Sequence, residues 1–250
     1  MDRQGAGEHD FPFGTGKRVS HGNWSTEPAP AKQAETTPEV TLPAWARTEA
    51  AAPAQGQGTL SPSDLGGAKA LPGDAGLDEE AAKKRGRQIH LLLEHLPDVP
   101  QAHWPAQAVK LLATGEDAAG DDAVAALLAE ATAVLTDPDL QHLFTDQALA
   151  EVSVTATLKA LQGRRIHGTI DRLIIDHDSV LAVDFKTNAT VPAGPAECPL
   201  GLLRQMAAYA HALQQIYPDK QVKTALLWTR TAQLMLLPET LVTQSLEAPL

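Results

Sequence analysis

The hydrophobic period of this chain changes to two near Glu151, and that change constrains the fold more than any other feature of the sequence. Three consecutive segments then alternate: 151–158 (EVSVTATL), 164–176 (RRIHGTIDRLIID) and 180–187 (VLAVDFKT). Alternation sends successive side chains to opposite faces of a strand, so Val152, Val154, Ala156 and Leu158 share one face. A turn at Gly163 and another at HDS (177–179) join the three segments, which predicts a meander of antiparallel strands.

Helical patterns flank the meander. The segment LDEEAAKKRGRQIHLLLEHLP opens with Asp78, Glu79 and Glu80, closes on a proline, and lines Ile89, Leu92, Leu93 and Leu96 along one face. Ala- and Leu-rich stretches around 104–114 and 120–136 predict two more helices, and 137–144 (DPDLQHLF) a short helix or turn. After the meander, the loop VPAGPAECP leads into the helix LGLLRQMAAYAHALQQIY, followed by two last strands, VKTALLWT and AQLMLLP. Residues 1–58, dominated by Pro, Ala, Gly, Thr and Gln, predict a disordered tail with one apolar exception, LPAWA at 42–46. Order is expected from Thr59, where Ser61 or Ser63 offers a helix cap around Pro62.

Several classes of protein are excluded. FGTGKR (13–18) is no phosphate loop: Arg18 follows Lys17 where Ser or Thr is required, and Phe11 stands where the first glycine belongs. A formal net charge of -11 argues against a protein that coats nucleic acid with a broad basic surface, though not against one acting through a metal ion and a narrow basic rim. The single cysteine, Cys198, forms no internal disulfide, iron–sulfur cluster or structural zinc site, which points to a reducing, cytoplasmic setting. No apolar run reaches membrane-spanning length, and the first residues lack a signal-peptide pattern.

The chemistry concentrates on Asp171 and on Asp184-Phe185-Lys186. Residues two apart in a strand share a face about 7 Å apart, so Asp184 and Lys186 stand side by side. Antiparallel pairing through the HDS turn brings Asp171 opposite or diagonal to Asp184. Two carboxylates on one sheet face repel unless a cation lies between them, and a hard divalent ion with oxygen ligands is the simplest candidate. Lys186 beside it could hold a water or a phosphate oxygen. His90, four residues after Gly86, becomes a ligand if its helix packs over the end of the sheet. Gln205 and Tyr209 share a helix face that could line the same cleft.

Four motifs occur in order: Gly86-Arg87-x-x-His90-x-Leu92-Leu93-Glu94, Gly168-x-Ile170-Asp171-Arg172-Leu173, Val183-Asp184-Phe185-Lys186-Thr187-Asn188 and Arg204-Gln205-Met206-x-x-Tyr209. Together they resemble the RecB-type nuclease domain of the PD-(D/E)XK class, and among its members the carboxy-terminal nuclease domain of AddA, the helicase–nuclease subunit of bacterial AddAB. Ser-Pro-Ser-Asp-Leu at 61–65 resembles the start of that domain, and the likeness spans roughly 59–240. It implies an α/β, restriction-endonuclease-like core over 59–243, with a mixed sheet flanked by helices. It implies Mg²⁺ held by His90, Asp171, Asp184 and the carbonyl of Phe185, with Lys186 as the catalytic lysine and Gln205 and Tyr209 as a further active-site motif on the DNA side. The implied activity is hydrolysis of DNA, as single strands or unwound duplex ends, in double-strand break repair and recombination. The implied partners are an AddB-like subunit and a helicase motor. Because the motors are absent from this chain, the expectation is a carboxy-terminal piece, a truncated reading frame or a split gene, whose first 58 residues correspond to the tether. The cluster cysteines of AddB and of Cas4-like nucleases are also absent, which favours the AddA side. The alternatives are a free-standing RecB- or Cas4-like nuclease and a non-catalytic protein-binding module that kept the fold.

Overall fold

The computed structural model describes residues 6–19, 43, 58–69 and 79–246. The chain divides into two compact units, Met1–Pro53 and Ala54–Leu250.

In the first unit, β1 (Ala6–Phe11) and β2 (Gly14–Val19) pair as an antiparallel hairpin. The expected disordered tail therefore contains ordered structure at 6–19. The Phe11 and Phe13 rings stack at 5.4 Å, and Thr15 donates a 2.7 Å hydrogen bond to Asp10 across the turn. A lone hairpin buries little apolar surface, so its composition does not distinguish it from the Pro- and Ala-rich sequence that follows. The rest of 1–58, including LPAWA except Pro43, lies outside the described residues.

The second unit places three helices ahead of the sheet: α1 (Glu79–His95), α2 (Trp104–Leu112) and α3 (Asp121–Thr136). The meander follows as β3 (Ala148–Leu158), β4 (Arg164–Ile175) and β5 (Ser179–Lys186). Then come α4 (Leu200–Ile216), β6 (Gln221–Trp228), β7 (Gln233–Leu237) and α5 (Glu239–Ser245). The five strands lie in chain order, β3-β4-β5-β6-β7. Only β5 and β6 run parallel, joined by α4 as the crossover. This is the mixed α/β sheet flanked by helices that the motifs imply. The short helix α5 was not anticipated: its sequence is polar, and only Val242, Ser245 and the following Leu246 are buried.

Each face of the sheet carries its own core. Val180, Ala182, Leu226 and Trp228 point to α4 and α5. Val183, Phe185, Ala225 and Leu227 point to α1, α2 and α3. The central strands are therefore apolar on both faces, as buried parallel pairs are. Charges inside the layers are bonded. Arg172 donates to the Leu93 carbonyl at 2.6 Å beneath α1 and lies over the Phe144 ring. Burial holds its guanidinium below the ordinary arginine range. Arg204 reaches the carbonyls of Leu65 and Ser245, both at 3.2 Å.

The segment 58–69 determines how the sheet opens. Between β4 and β5 the ladder covers only Ile175↔Val180 to Arg172↔Val183. Beyond it the strands separate, and Leu60 occupies the freed edge of β4. It bridges Ile166 in parallel, bonding Arg165 O and His167 N at 2.9 Å. Pro62 then packs onto Gly168, where an added Cβ would lie 2.7 Å from the proline ring and 3.1 Å from the Tyr209 hydroxyl. Glycine is required there for that approach. Further on, Gly67 and Gly201 meet so closely that a Cβ on either would stand 2.8 Å from backbone atoms of the other's segment. Gly86, on α1, makes no such approach: a Cβ there meets only Thr187 Oγ1, at an ordinary 3.6 Å.

Gly168→Ala should destabilise the domain by about 1–3 kcal/mol, the usual cost of overpacking, because neither the proline ring nor the bonded Tyr209 can swing away. Gly86→Ala should be neutral or slightly stabilising, since alanine favours a helix by up to about 1 kcal/mol. Thermal melts of the two variants check this, and equal effects would contradict it.

Candidate active site

The site forms where β4 and β5 part. At the step after Arg172↔Val183, Asp171 would face Asp184. Instead of a ladder bond, the Asp171 side chain takes over: Oδ2 accepts the Phe185 N–H at 2.5 Å. Its other oxygen, Oδ1, lies 3.4 Å from His90 Nδ1, and His90 Nε2 lies 3.3 Å from the Phe185 carbonyl. Helix α1 packs on that face of the sheet through Ile89, Leu92 and Leu93, which brings His90 over the strand end. Its ring meets Phe185 edge-on at 5.5 Å.

Asp184 and Lys186 share the other face of β5, beneath α4. Asp184 is 3% exposed. Gln205 Nε2 donates to its Oδ1 at 2.6 Å, and Lys186 Nζ stands 2.5 Å from its Oδ2 while donating to Gln205 Oε1 at 3.2 Å. One turn further along α4, Tyr209 donates to the Thr169 carbonyl at 2.7 Å, two residues before Asp171. Gln205 and Tyr209 both line the cleft. Their polar groups are engaged in holding Asp184, Lys186 and β4 in position.

Burial pushes the Asp184 carboxyl above its ordinary range; Lys186 opposes this and Asp171 adds to it. Burial alone would depress His90, yet Asp171 and Asp184 outweigh it, leaving the imidazole above its ordinary 6.5. Tyr209 is pushed up by burial and by Asp184.

Glu151 was not singled out from the sequence. The β3–β4 ladder pairs Ala150↔Arg172 and Val152↔Ile170 but skips the step between, where Glu151 faces Asp171. Glu151 sits in the left-handed region at φ 48, a conformation that costs a non-glycine residue about 1–2 kcal/mol. On β4, Ile170 and Leu173 belong to the same core while Arg172 reaches the opposite one, so strict alternation breaks at Asp171. Such irregularities re-aim side chains beside active sites. Here the result is that ligand atoms of His90, Glu151 and Asp171 lie within 4.8 Å of one another. Partial burial, Asp171 and Glu94 raise the Glu151 carboxyl above its ordinary value.

These residues suit a hard divalent ion. The donors are carboxylate oxygens, an imidazole nitrogen and the Phe185 carbonyl. Asp184 Oδ2, buried and in charge contact with Lys186, makes no hydrogen bond. Asp184 itself contacts Lys186 and Gln205 and lies outside the tight His90–Glu151–Asp171 cluster, in the same cleft. The cluster borders two hollows. A cleft of about 750 Å³ runs past Asp171, Asp184 and Lys186 to Arg85 and Arg230. A second groove of about 480 Å³, on the other side of His90, is lined by Glu94, Asp117 and Glu151.

The architecture and the site define an α/β domain organised around an Asp–Asp–Lys cluster at splayed strand ends. A profile of the PD-(D/E)XK nuclease superfamily matches residues 65–243, more than half of the chain, and the chain belongs to that superfamily. No curated protein matches it. Among solved structures, the crystal structure of SSO0001 aligns at 12% identity and a TM-score of 0.29, covering 68% of this chain and 85% of that one. A likeness that low adds nothing to the assignment.

Asp171 thus has a structural task as well as a chemical one. Asp171→Ala should cost about 1–3 kcal/mol by leaving the buried Phe185 N–H unpaired, whereas Asp171→Asn keeps an acceptor and should melt near the parent. Denaturant titration of both distinguishes the two cases, and equal stability would remove this role. Glu151→Gly relieves the left-handed strain and should be about 1 kcal/mol more stable than Glu151→Ala. Added Mn²⁺ or Mg²⁺ should raise the melting temperature of the parent and of neither variant. A full metal-induced shift in either would exclude Glu151 as a ligand.

Proposed function

We propose that this chain is a Mg²⁺-dependent deoxyribonuclease domain of RecB type that hydrolyses DNA phosphodiesters. The observation that carries the reading is the coincidence, at one splayed strand end, of the Asp171–His90–Glu151 cluster and the Asp184–Lys186–Gln205 triad. His90, Glu151, Asp171, Asp184 and the Phe185 carbonyl would hold the ion. When bound, a divalent ion supplies a water of lowered pKa and neutralises charge on the attacked phosphate. The chain does the rest. Lys186 presents a positive donor 2.5 Å from Asp184, placed to hold the attacking water or a phosphate oxygen. Gln205 keeps that ammonium and the Asp184 carboxylate in fixed relation. Tyr209, through Thr169, fixes the approach of β4 to Asp171.

The finer reading follows the AddA resemblance: single strands or unwound duplex ends as substrate, a helicase motor and an AddB-like subunit as partners, and a role in double-strand break repair in the cytoplasm. Residues 59–243 would be the nuclease domain and 1–58 the connection to a motor. At a net charge of -11 the chain gains little sequence-independent DNA affinity, which fits a domain supplied with substrate by a partner.

The test is cleavage of end-labelled single strands by the full chain. Mg²⁺ should support degradation and chelation should stop it. Asp184→Asn and Lys186→Ala should each lower the rate by about 100-fold or more, the usual cost of losing one charge-stabilising group. Metal must displace the proton that His90 holds above its ordinary value. Affinity should therefore rise with pH through and above the ordinary histidine range, with protons released on binding. Calorimetry in two buffers of different ionisation enthalpy reads that release. An active chain indifferent to chelator, or a Lys186→Ala variant of parental rate, would end this reading.

A further inference from the structure

The two hollows beside His90 differ in charge. The lining of the cleft includes Lys186, Arg85 and Arg230, with Lys69, Lys83 and Glu79, whereas the groove on the far side of His90 is bordered by Glu94, Asp117 and Glu151. On that side the one arginine, Arg87, is held by Asp117 through bonds of 2.7–3.0 Å.

Both arginines of the cleft are held by the same turn. Arg85, on α1, engages Glu130 of α3 through both terminal nitrogens. Glu130 also accepts the Thr229 hydroxyl at 2.6 Å, and that hydroxyl lies 3.3 Å from the Lys186 carbonyl. The next residue, Arg230, donates through Nε to the Thr187 carbonyl at 3.1 Å. One turn, 229–231, thus ties two guanidinium groups to the last residue of the lysine strand and its neighbour. Glu130 is the only charged residue of α3 beyond its first two, and Thr229 is 1% exposed. A charged group and a hydroxyl in so enclosed a place need mutual partners, and here they orient an arginine. A guanidinium has five N–H donors, so bonding Glu130 leaves others for a ligand in the cleft.

We infer that Arg85 and Arg230 form a phosphate clamp in the cleft, with Glu130 as the positioning residue that aims Arg85. The clamp binds backbone phosphates of the substrate strand next to the one attacked. The carboxylates beyond His90 repel an anion, so the strand runs to one side of the metal cluster only. The inference rests on the proposed nuclease function and assigns which residues hold the strand.

The experiment uses the full chain carrying Asp184→Asn, so that strands are bound without being cut, and follows the anisotropy of a labelled single-stranded oligonucleotide across a salt series. Arg230→Gln should lower the slope of log affinity against log salt by about 0.7, the value for one phosphate contact on a single strand. Arg85→Met should weaken binding about tenfold, as loss of a charge-assisted hydrogen bond does. Glu130→Ala should weaken it similarly, add nothing to Arg85→Met in the double variant, and be partly rescued by Glu130→Gln. Glu94→Gln, on the acidic side, should not weaken binding. Parental affinity and slope in both Arg85→Met and Arg230→Gln would overturn the clamp, and additive effects of Glu130→Ala and Arg85→Met would overturn the positioning role. If Arg85→Met fails to fold, Arg85→Lys, which keeps the charge without the fork, takes its place and should also lose affinity. A parent that binds no strand at any salt overturns the clamp, as does binding with unchanged variants, whereas the nuclease reading itself falls only if the full chain with Asp184 intact cleaves no strand in Mg²⁺.

Discussion

The bond between the Asp171 carboxylate and the Phe185 N–H is what the site depends on. It stands where a backbone bond between β4 and β5 would otherwise lie, and it ends the ladder without leaving the buried donor unpaired. Because a side chain is longer than a carbonyl, the two strands can separate at that step. The separation opens the cleft, frees the edge of β4 that Leu60 occupies, and leaves the Phe185 carbonyl available to His90. One carboxylate thus closes the strand pairing and faces the cluster where a cation would sit.

Around this opening, polar groups tie the layers together where apolar packing cannot. Arg172 bonds the sheet to α1, Arg204 bonds α4 to the leading segment and to α5, and the Arg85–Glu130–Thr229 chain joins α1 and α3 to the sheet. Truncating one partner of such a buried set is destabilising because the other is left without compensation. The aliphatic cores supply the bulk of the burial, but apolar contact is non-directional. The directional bonds fix the helices relative to the strand ends, and so hold His90, Lys186 and Gln205 within reach of the two aspartates.

Much of this was legible in the sequence. Alternation marked the three meander strands, and the apolar context of Asp171 and Asp184 marked them as more than surface carboxylates. The four-residue spacing of Gln205 and Tyr209 placed them on one helix face. What escaped depended on distance along the chain or on broken periodicity. Glu151 reads as the polar first residue of an alternating run, and only its left-handed backbone turns it toward Asp171. Glu130 reads as a solvated charge on an Ala-rich helix, since its partners lie 45 and 99 residues away. The structural duty of Asp171 was hidden because it involves a backbone N–H, which leaves no trace in side-chain pattern. The hairpin at 6–19 was lost in the averaging of a low-complexity segment.

The contact between Leu60 and Ile166 links residues 106 positions apart, and chain entropy makes such closures late and slow relative to local helices and hairpins. The meander and its carboxylates are local and can assemble early, but the wall that Ser61, Pro62 and Ser63 form cannot exist until the distant leading segment returns. Competence of the cleft is therefore coupled to completion of folding: a half-folded chain can pair the acidic strands without the enclosure that shapes them. If the proposed nuclease activity holds, that ordering ties it to the fully folded domain.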